Sequence, residues 1–168
     1  MAKGEQRLID IDHPDTVLKT FILFVQTADA VSKYADSRFY KAGLSTIKFM
    51  ILRILAFNGG SMTPSEIAQW TLRERHNITT LVDRLKREGF VSAERNDKDR
   101  RVVNVALTNK GREVLAQGTP VAREIVKQVM LSITESEAAS LARSLRVLRQ
   151  NARSQLKHIA EHSKHRHD

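Results

Sequence analysis

Residues 77–111 read NITTLVDRLKREGFVSAERNDKDRRVVNVALTNKG, and they decide the fold. Apolar residues recur at helical spacing in the first part of this stretch, which ends at Gly89. Two apolar runs, FVSAE and VVNVAL, then indicate strands on either side of a charged turn. Thr108 is the expected cap of a helix that begins near Asn109. The stretch therefore predicts a helix, a β-hairpin and a second helix in direct succession.

The residues before this stretch predict a short helix that leads into the longer one. In MTPSEIAQW, Thr63 suits the cap position, Pro64 suits the first helical position, and Glu66 completes a capping box. Thr71 and Glu74 form a second such pattern, so the next helix is predicted to begin at Thr71 or nearer Glu74. A short helix, a turn, a second helix and a hairpin are the parts of a winged helix-turn-helix, whose second helix lies in the major groove of DNA.

Two helices are predicted on the amino-terminal side of this unit. Residues 15–41 have helical spacing and stop at Gly43, and residues 45–57 form a second helix that ends at Asn58. The apolar stripe of the first helix is widest at Phe21–Val25, where it exceeds what one contact face needs. This width predicts burial against a second partner surface.

Two more helices are predicted on the carboxy-terminal side. The first continues to about Leu131 and contains Gly118 and Pro120, where we expect a kink or a break. The second begins with a capping box at Thr134–Glu137 and continues to about residue 160. Packing within the chain or against a partner chain would explain its near-heptad apolar seam. The seam consists of Leu141, Leu145, Leu148, Ala152 and Ile159.

The predicted fold class is mainly α with a small β-hairpin wing, an α+β protein built around a winged helix-turn-helix. We predict three segments: an amino-terminal helix over residues 1–43, the winged helix-turn-helix over residues 44–111, and carboxy-terminal helices with a basic tail over residues 112–168.

Composition and charge limit the classes of function. The net charge of +9 at pH 7 favours a polyanionic partner, and the excess lies over residues 73–101 and 143–168. The chain has no cysteine, which excludes disulfides, cysteine-based zinc sites and thiol redox sensing. It has neither the apolar core of a signal peptide nor a run long enough to span a bilayer, so we expect a cytoplasmic protein without a membrane partner.

The polar face of the second helix supplies the first DNA-binding candidates. Its apolar residues Ile78, Leu81, Val82 and Leu85 share one face at 100° per residue, so they are predicted to pack inward. Arginine forks and short hydroxyl or amide groups suit the base edges of the major groove. The predicted groove contacts are Arg73, Arg75, His76, Asn77 and Thr80, flanked by Thr79. Arg84 and Arg87 are predicted phosphate contacts.

The turn between the strands supplies the rest. Its residues Arg95-Asn96-Asp97-Lys98-Asp99-Arg100-Arg101 are richer in arginine than a turn requires. A hairpin beside a recognition helix reaches the adjacent minor groove, where arginine reads groove width. Asp99 is expected to hold Arg101 in an extended pose through a charge-assisted pair. The predicted DNA contacts of this wing tip are Arg95, Lys98, Asp99, Arg100 and Arg101.

These residues resemble the MarR family of bacterial and archaeal regulators. DRRVVNVALTNKG fits the family's wing pattern of Asp, any residue, Arg, five residues, Leu-Thr, two residues and Gly. Here the matching residues are Asp99, Arg101, Leu107, Thr108 and Gly111. EIAQWTLRERHNITTLVDRLKREGFV is similar to the family's DNA-reading segment, and the flanking helices match its dimerisation helices in number and order. The turn Thr71-Leu72-Arg73-Glu74 departs from the family's common Leu-Gly-Leu-Ser-like run, which leaves open whether Arg73 or Arg75 reaches a base.

The resemblance implies a homodimer whose terminal helices intertwine, with one winged domain on each side. Such a dimer binds double-stranded DNA at a pseudo-palindromic operator, usually as a repressor, and often releases it when a small ligand binds. The resemblance therefore implies no cofactor, but a small-molecule effector whose identity the sequence leaves open. The predicted dimer interface contains Phe21, Phe24, Leu141, Leu145 and Leu148.

Other functions have weaker support in the sequence. A winged-helix module that binds protein has no need for an arginine-rich tip, whereas a nonspecific DNA-coating protein would lack sequence preference. Phosphate-binding glycine loops, zinc-protease helices and nucleophile elbows are absent from the sequence, so we predict no enzymatic activity. His158, His162, His165 and His167 lack a nearby cysteine or carboxylate cluster, and we predict no specific metal site.

Overall fold

The computed structural model describes residues 15–71, 75–95 and 103–164. The predicted order of helices and hairpin is confirmed, and the chain is mainly helical with a small antiparallel sheet. The helices are α1 (Thr16–Lys41), α2 (Thr46–Phe57), α3 (Pro64–Thr71), α4 (Arg75–Arg87), α5 (Asn109–Val129) and α6 (Glu135–Lys164). The strands are β1 (Ser61–Met62), β2 (Val91–Arg95) and β3 (Val103–Leu107).

The sheet has the strand order β1-β3-β2. β2 and β3 form the predicted hairpin, with Val91 opposite Leu107, and β1 adds a short third strand with Met62 opposite Val105. Val91, Val105 and Leu107 are buried, as alternation along a strand requires when one face lies on a core. The hairpin is therefore anchored on the helices by one apolar face.

One hydrophobic cluster joins α2, α3, α4 and the sheet. Its largest fully buried side chains are Ile51, Leu52, Leu55, Ile67, Ile78, Leu85 and Val105. The predicted inward face of α4 is confirmed, because Ile78, Val82 and Leu85 are buried and Leu81 packs against the cluster. Full burial of a large aliphatic side chain contributes roughly 1.5–3 kcal/mol, so this face fixes which side of α4 meets solvent.

A smaller cluster joins α1, α2 and α5 around Phe39, Phe49 and Ile125. The rings of Phe39 and Phe49 have centroids 4.8 Å apart. A Cβ on Gly118 would lie 2.6 Å from Cδ2 of Phe49, so this position of α5 requires glycine. Of the kink or break expected at Gly118 and Pro120, the break is wrong, because α5 continues through both residues. The glycine allows close packing of a ring rather than ending the helix.

Capping boxes begin α3 and α6 as predicted. At α3, Thr63 Oγ1 accepts from the Glu66 backbone N–H at 3.2 Å, and the Glu66 carboxylate accepts from the Thr63 N–H at 2.7 Å. At α6, Thr134 and Glu137 make the same two bonds at 3.3 and 2.8 Å. Each box satisfies two of the backbone donors that a helix start leaves without partners.

Thr63→Ala is expected to lower the free energy of unfolding by about 1 kcal/mol at pH 7. The hydrogen bonds from the backbone and side chain of Thr63 hold the pKa of Glu66 below its usual value. Because the pKa of Glu66 is lower in the folded state than in the unfolded state, its ionised carboxylate stabilises the fold at pH values above the unfolded pKa. This stabilisation is lost as the pH falls through the folded pKa. Urea denaturation at neutral and acid pH measures both effects. Glu66→Gln is the control, since it keeps an accepting oxygen but cannot titrate, and a pH dependence equal to the wild type's would contradict the assignment.

The chain divides into two compact units after Val129. The first contains α1 to α5 with the sheet, and the second contains α6. Within the second unit, α6 exposes its apolar seam, since Leu141, Leu145 and Leu148 retain 47%, 37% and 42% exposure.

Candidate nucleic-acid interface

The outer face of α4 carries the polar residues that the sequence predicts to contact DNA. His76, Asn77, Thr79, Thr80, Arg84 and Arg87 are all exposed. The Thr80 hydroxyl donates to the carbonyl oxygen of His76 at 3.2 Å, which leaves its oxygen lone pairs to accept a further bond. Because the opposite face is buried, these side chains project from the winged domain together.

The last turn of α4 concentrates positive charge. It contains Arg84, Lys86 and Arg87. Cations at a helix carboxy-terminus are stabilised by the helix dipole, and exposed arginine and lysine are the usual partners of phosphate oxygens. This turn therefore suits contacts with phosphates, which fix the position of a helix on DNA. The neutral hydrogen-bonding groups lie nearer the start of the helix.

The remaining DNA-binding candidates lie at or beyond the edges of the described segments. Arg75 is the first residue of α4, and Arg95 is the last residue of β2, opposite Val103. Arg73 and the wing-tip residues Lys98, Asp99, Arg100 and Arg101 lie outside the described residues. Their contacts with DNA, and the pair between Asp99 and Arg101, stay predictions.

The start of α4 differs from one of the two predicted alternatives. Thr71 is the last residue of α3, and its hydroxyl donates back to the carbonyl oxygen of Ile67 at 2.8 Å. It therefore does not cap α4, which begins at Arg75. The prediction of a helix start at Thr71 is wrong, because the threonine hydroxyl bonds to the preceding turn instead.

The Leu-Thr-x-x-Gly part of the wing pattern has a structural reason. Thr108 Oγ1 donates to the carbonyl oxygen of Gly89 at 2.8 Å and accepts from the Gly111 N–H at 3.0 Å. A Cβ on Gly111 would overlap the carbonyl oxygen of Phe90. The threonine thus caps α5 and fixes the chain that leaves α4, while the glycine lets these two backbone segments touch.

An aromatic groove lies beside the core of the winged domain. Its volume is about 430 Å³, and it is lined by Met50, Arg53, Ile54, Phe57 and Trp70. The rings of Phe57 and Trp70 meet edge to face with centroids 6.0 Å apart, although both side chains remain exposed. The sequence did not identify Phe57 and Trp70 as surface residues, because aromatic residues near the ends of two apolar helices are typical of a core.

The predicted dimer-interface residues are exposed apolar side chains. Phe21 and Phe24 on α1 are 57% and 38% exposed, and the three leucines on α6 are exposed as well. Val17, Leu23 and Val25 extend the exposed apolar surface of α1. Exposed apolar helix faces of this kind are typical of sites that another protein chain covers.

The histidines near the carboxy-terminus make a local contact. The rings of His158 and His162 have centroids 6.2 Å apart, and His162 Nδ1 lies 3.0 Å from the carbonyl oxygen of His158. His165 and His167 lie outside the described residues. Within residues 15–71, 75–95 and 103–164, no group of three or more metal-ligating side chains occurs. No helix in those same ranges is long and apolar enough to cross a membrane.

Comparison with known proteins agrees with this architecture. The family model described as MarR family matches residues 42–102. The chain is 30% identical over 122 residues to the HTH-type transcriptional repressor YetL of Bacillus subtilis (strain 168), covering 71% of this chain and 72% of YetL.

Solved structures of other transcriptional regulators share the fold. Sco3205, a MarR family transcriptional regulator from Streptomyces coelicolor in complex with DNA, matches with a TM-score of 0.74 and 23% identity over 79% of this chain and 88% of Sco3205. The organohalide sensing regulator RdhR-CbdbA1625, in its 2,4-dichlorophenol bound form, matches with a TM-score of 0.72 and 23% identity over 90% of this chain and 89% of its own. The chain belongs to the MarR family of winged helix-turn-helix transcriptional regulators.

Proposed function

We propose that this protein is a homodimeric, sequence-specific DNA-binding regulator that represses transcription from a pseudo-palindromic operator. The observation that carries the proposal is the exposed polar face of α4, whose opposite face is fixed in the core beside the hairpin. YetL is named as a transcriptional repressor, and Sco3205 was solved with DNA, and both support this function.

In the proposed complex, α4 lies in the major groove. Arg73 or Arg75, with His76, Asn77 and Thr80, reaches base edges, because these residues lie near the start of the helix. Thr79 flanks these contacts, and Arg84 and Arg87 bind phosphates. The wing tip from Arg95 to Arg101 enters the adjacent minor groove.

We propose that the homodimer forms through the segments that flank the winged domain, residues 1–43 and 112–168, with residues 44–111 as the DNA-binding domain. The exposed apolar side chains of α1 and α6 support this division. A two-fold dimer presents two copies of α4, which suits two half-sites about one helical turn apart. A regulator of chromosomal genes works in the cytoplasm of a bacterial or archaeal cell and needs neither a catalytic group nor a cofactor.

A small-molecule effector is a further part of the proposal. The groove of about 430 Å³ beside Trp70 has a volume within the usual range for small-ligand sites. It combines apolar walls with one cation, Arg53. RdhR-CbdbA1625, solved with bound 2,4-dichlorophenol, supports an effector for a protein of this fold. We propose that an effector lowers the affinity for the operator.

Selection from a random duplex library at about 150 mM salt tests the function, because nonspecific binding is weak at physiological ionic strength. We expect a recovered motif with two half-sites about one helical turn apart. Recovery of no motif by folded protein would contradict sequence-specific regulation and favour a DNA-coating or protein-docking role.

Arg101→Ala is expected to weaken operator binding about tenfold while leaving the dimer intact, since one arginine contact is worth roughly 1–3 kcal/mol. Fluorescence anisotropy measures the affinity, and sedimentation velocity measures the oligomeric state. Arg123→Ala is a matched control, because it removes the same charge from α5 rather than from the wing. Unchanged affinity in Arg101→Ala would remove the wing from the proposed interface.

A further inference from the structure

The end of α4 is joined to α2 by an ion pair. Lys48 Nζ donates to both carboxylate oxygens of Glu88, at 2.6 and 2.8 Å. Glu88 directly follows Arg87, the last residue of α4, whereas Lys48 lies in the first turn of α2. The Lys48 and Glu88 side chains are 23% and 32% exposed, so the pair is partly shielded from water and salt.

A second lysine binds the same segment from α5. Lys110 Nζ donates to the backbone carbonyl oxygen of Glu88 at 2.9 Å and lies 5.3 Å from the ring centroid of Phe90. Gly89 follows with a φ of +77°, a left-handed conformation that favours glycine. Together with the Thr108 bond to Gly89, these contacts hold the exit of α4 from two sides.

We propose that the Lys48–Glu88 ion pair is a positioning contact for DNA recognition, and this rests on the proposed role of α4 as the recognition helix. The pair fixes the end of α4 against α2 and so sets how the exposed face of α4 enters the groove. Neither residue is assigned a contact with a base. Both act through the position of α4.

The physical basis is the difference between apolar packing and a two-point ion pair. The buried face of α4 is held by hydrophobic contacts, which are non-directional, and Leu85 is the last residue of α4 in the buried cluster. The Lys48–Glu88 pair adds a charge-assisted contact beyond Leu85, and the short distances from one ammonium nitrogen to both carboxylate oxygens, 2.6 and 2.8 Å, tie Glu88 to the start of α2. Binding side chains need placement within about 0.5 Å, which supporting contacts of this kind provide.

Two single variants distinguish positioning from phosphate attraction. Lys48→Met removes one positive charge, whereas Glu88→Met removes one negative charge, and each removes one partner of the contact. If these residues acted through electrostatic attraction to the phosphates, Lys48→Met would weaken DNA binding and Glu88→Met would strengthen it. If they position α4, both variants weaken operator binding. A contact that served stability alone would leave the ratio of operator to nonspecific affinity unchanged.

The experiment measures the affinity of the full chain for the selected operator and for a scrambled duplex at about 150 mM salt. We expect Lys48→Met and Glu88→Met each to weaken operator binding about tenfold, with nonspecific affinity within about twofold of the wild type. The conservative variant Lys48→Arg and the exchanged pair Lys48→Glu with Glu88→Lys are expected to recover most of the loss. Circular dichroism checks that each variant is folded.

Lys33→Met is the matched control for these variants. Lys33 forms an exposed ion pair with Asp29 within α1, at 2.6 Å, and its loss changes the net charge by the same amount as Lys48→Met. The control is expected to keep the wild-type affinity ratio. Tighter binding by Glu88→Met, or an unchanged ratio in both pair variants, would overturn the positioning role while leaving the proposed function standing. A wild-type protein without operator preference would overturn both.

Discussion

Replacement of Leu145 and Leu148 by aspartate is expected to produce a monomer that binds the whole operator about a hundredfold more weakly than the wild type. The two leucines share one face of α6 with Leu141 and are partly exposed in the single chain. Two carboxylates in an apolar interface lose hydration without gaining partners, which opposes association. A monomer then contacts one half-site and loses the gain in affinity that two linked half-sites provide.

Sedimentation velocity measures the loss of the dimer, and fluorescence anisotropy compares the whole operator with a single half-site. Val147→Asp is the control for a carboxylate on α6, because it adds one of the two negative charges at an exposed residue that faces away from the leucine seam. Circular dichroism checks that α6 remains helical. A folded monomer that still binds the whole operator with wild-type affinity would contradict the dimer as the unit that reads DNA.

Features that depend on neighbouring residues are predictable from the sequence. Thr63 and Glu66 are three residues apart, so the spacing of the two residue types is enough to predict their capping box. Ile78 and Leu85 recur at helical spacing, and their burial determines the exposed face of α4. The exposure of the DNA-binding candidates on α4 therefore follows from a local pattern, whereas their contacts with bases stay predictions.

Features that depend on distant contacts are not predictable in this way. Gly118 has low helix propensity, which favours a break, yet the ring of Phe49 occupies the space that a side chain would need. Lys48 and Glu88 are 40 residues apart, and no sequence pattern pairs them. The two-residue strand β1 is too short for alternation to reveal it. In each case the deciding partner comes from another part of the fold.

Thr71 before α4 and the aromatic residues of the groove are not predictable for a different reason, because each fits two local patterns equally well. A threonine hydroxyl caps the next helix or bonds back to the previous turn, and Thr71 does the latter. Aromatic residues on amphipathic helices pack in the core or border a surface groove, and Phe57 and Trp70 do the latter. Only the three-dimensional surroundings choose between the two.

Removal of the Asn77 and Thr80 side chains together by alanine is expected to weaken operator binding about a hundredfold and to change nonspecific binding little. Both side chains are exposed on α4, and neither packs in the core that holds this helix. A good base contact is worth roughly 1–3 kcal/mol, whereas nonspecific affinity comes from phosphate contacts that neutral side chains barely affect. The variant is therefore expected to lose preference for its operator rather than attraction to DNA.

Arg84→Ala is the comparison variant for this prediction, because Arg84 lies on the same helix and is a proposed phosphate contact. It is expected to weaken binding to the operator and to scrambled DNA by similar factors. It is also expected to reduce the slope of log affinity against log salt concentration by about one. If the Asn77 and Thr80 variant bound both duplexes more weakly by the same factor, the Asn77 and Thr80 side chains would not read bases. If it bound the operator as the wild type does, α4 would not be the reading element. Because one helix carries both kinds of contact, the two variants separate sequence recognition from phosphate attraction without changing the dimer interface or the wing.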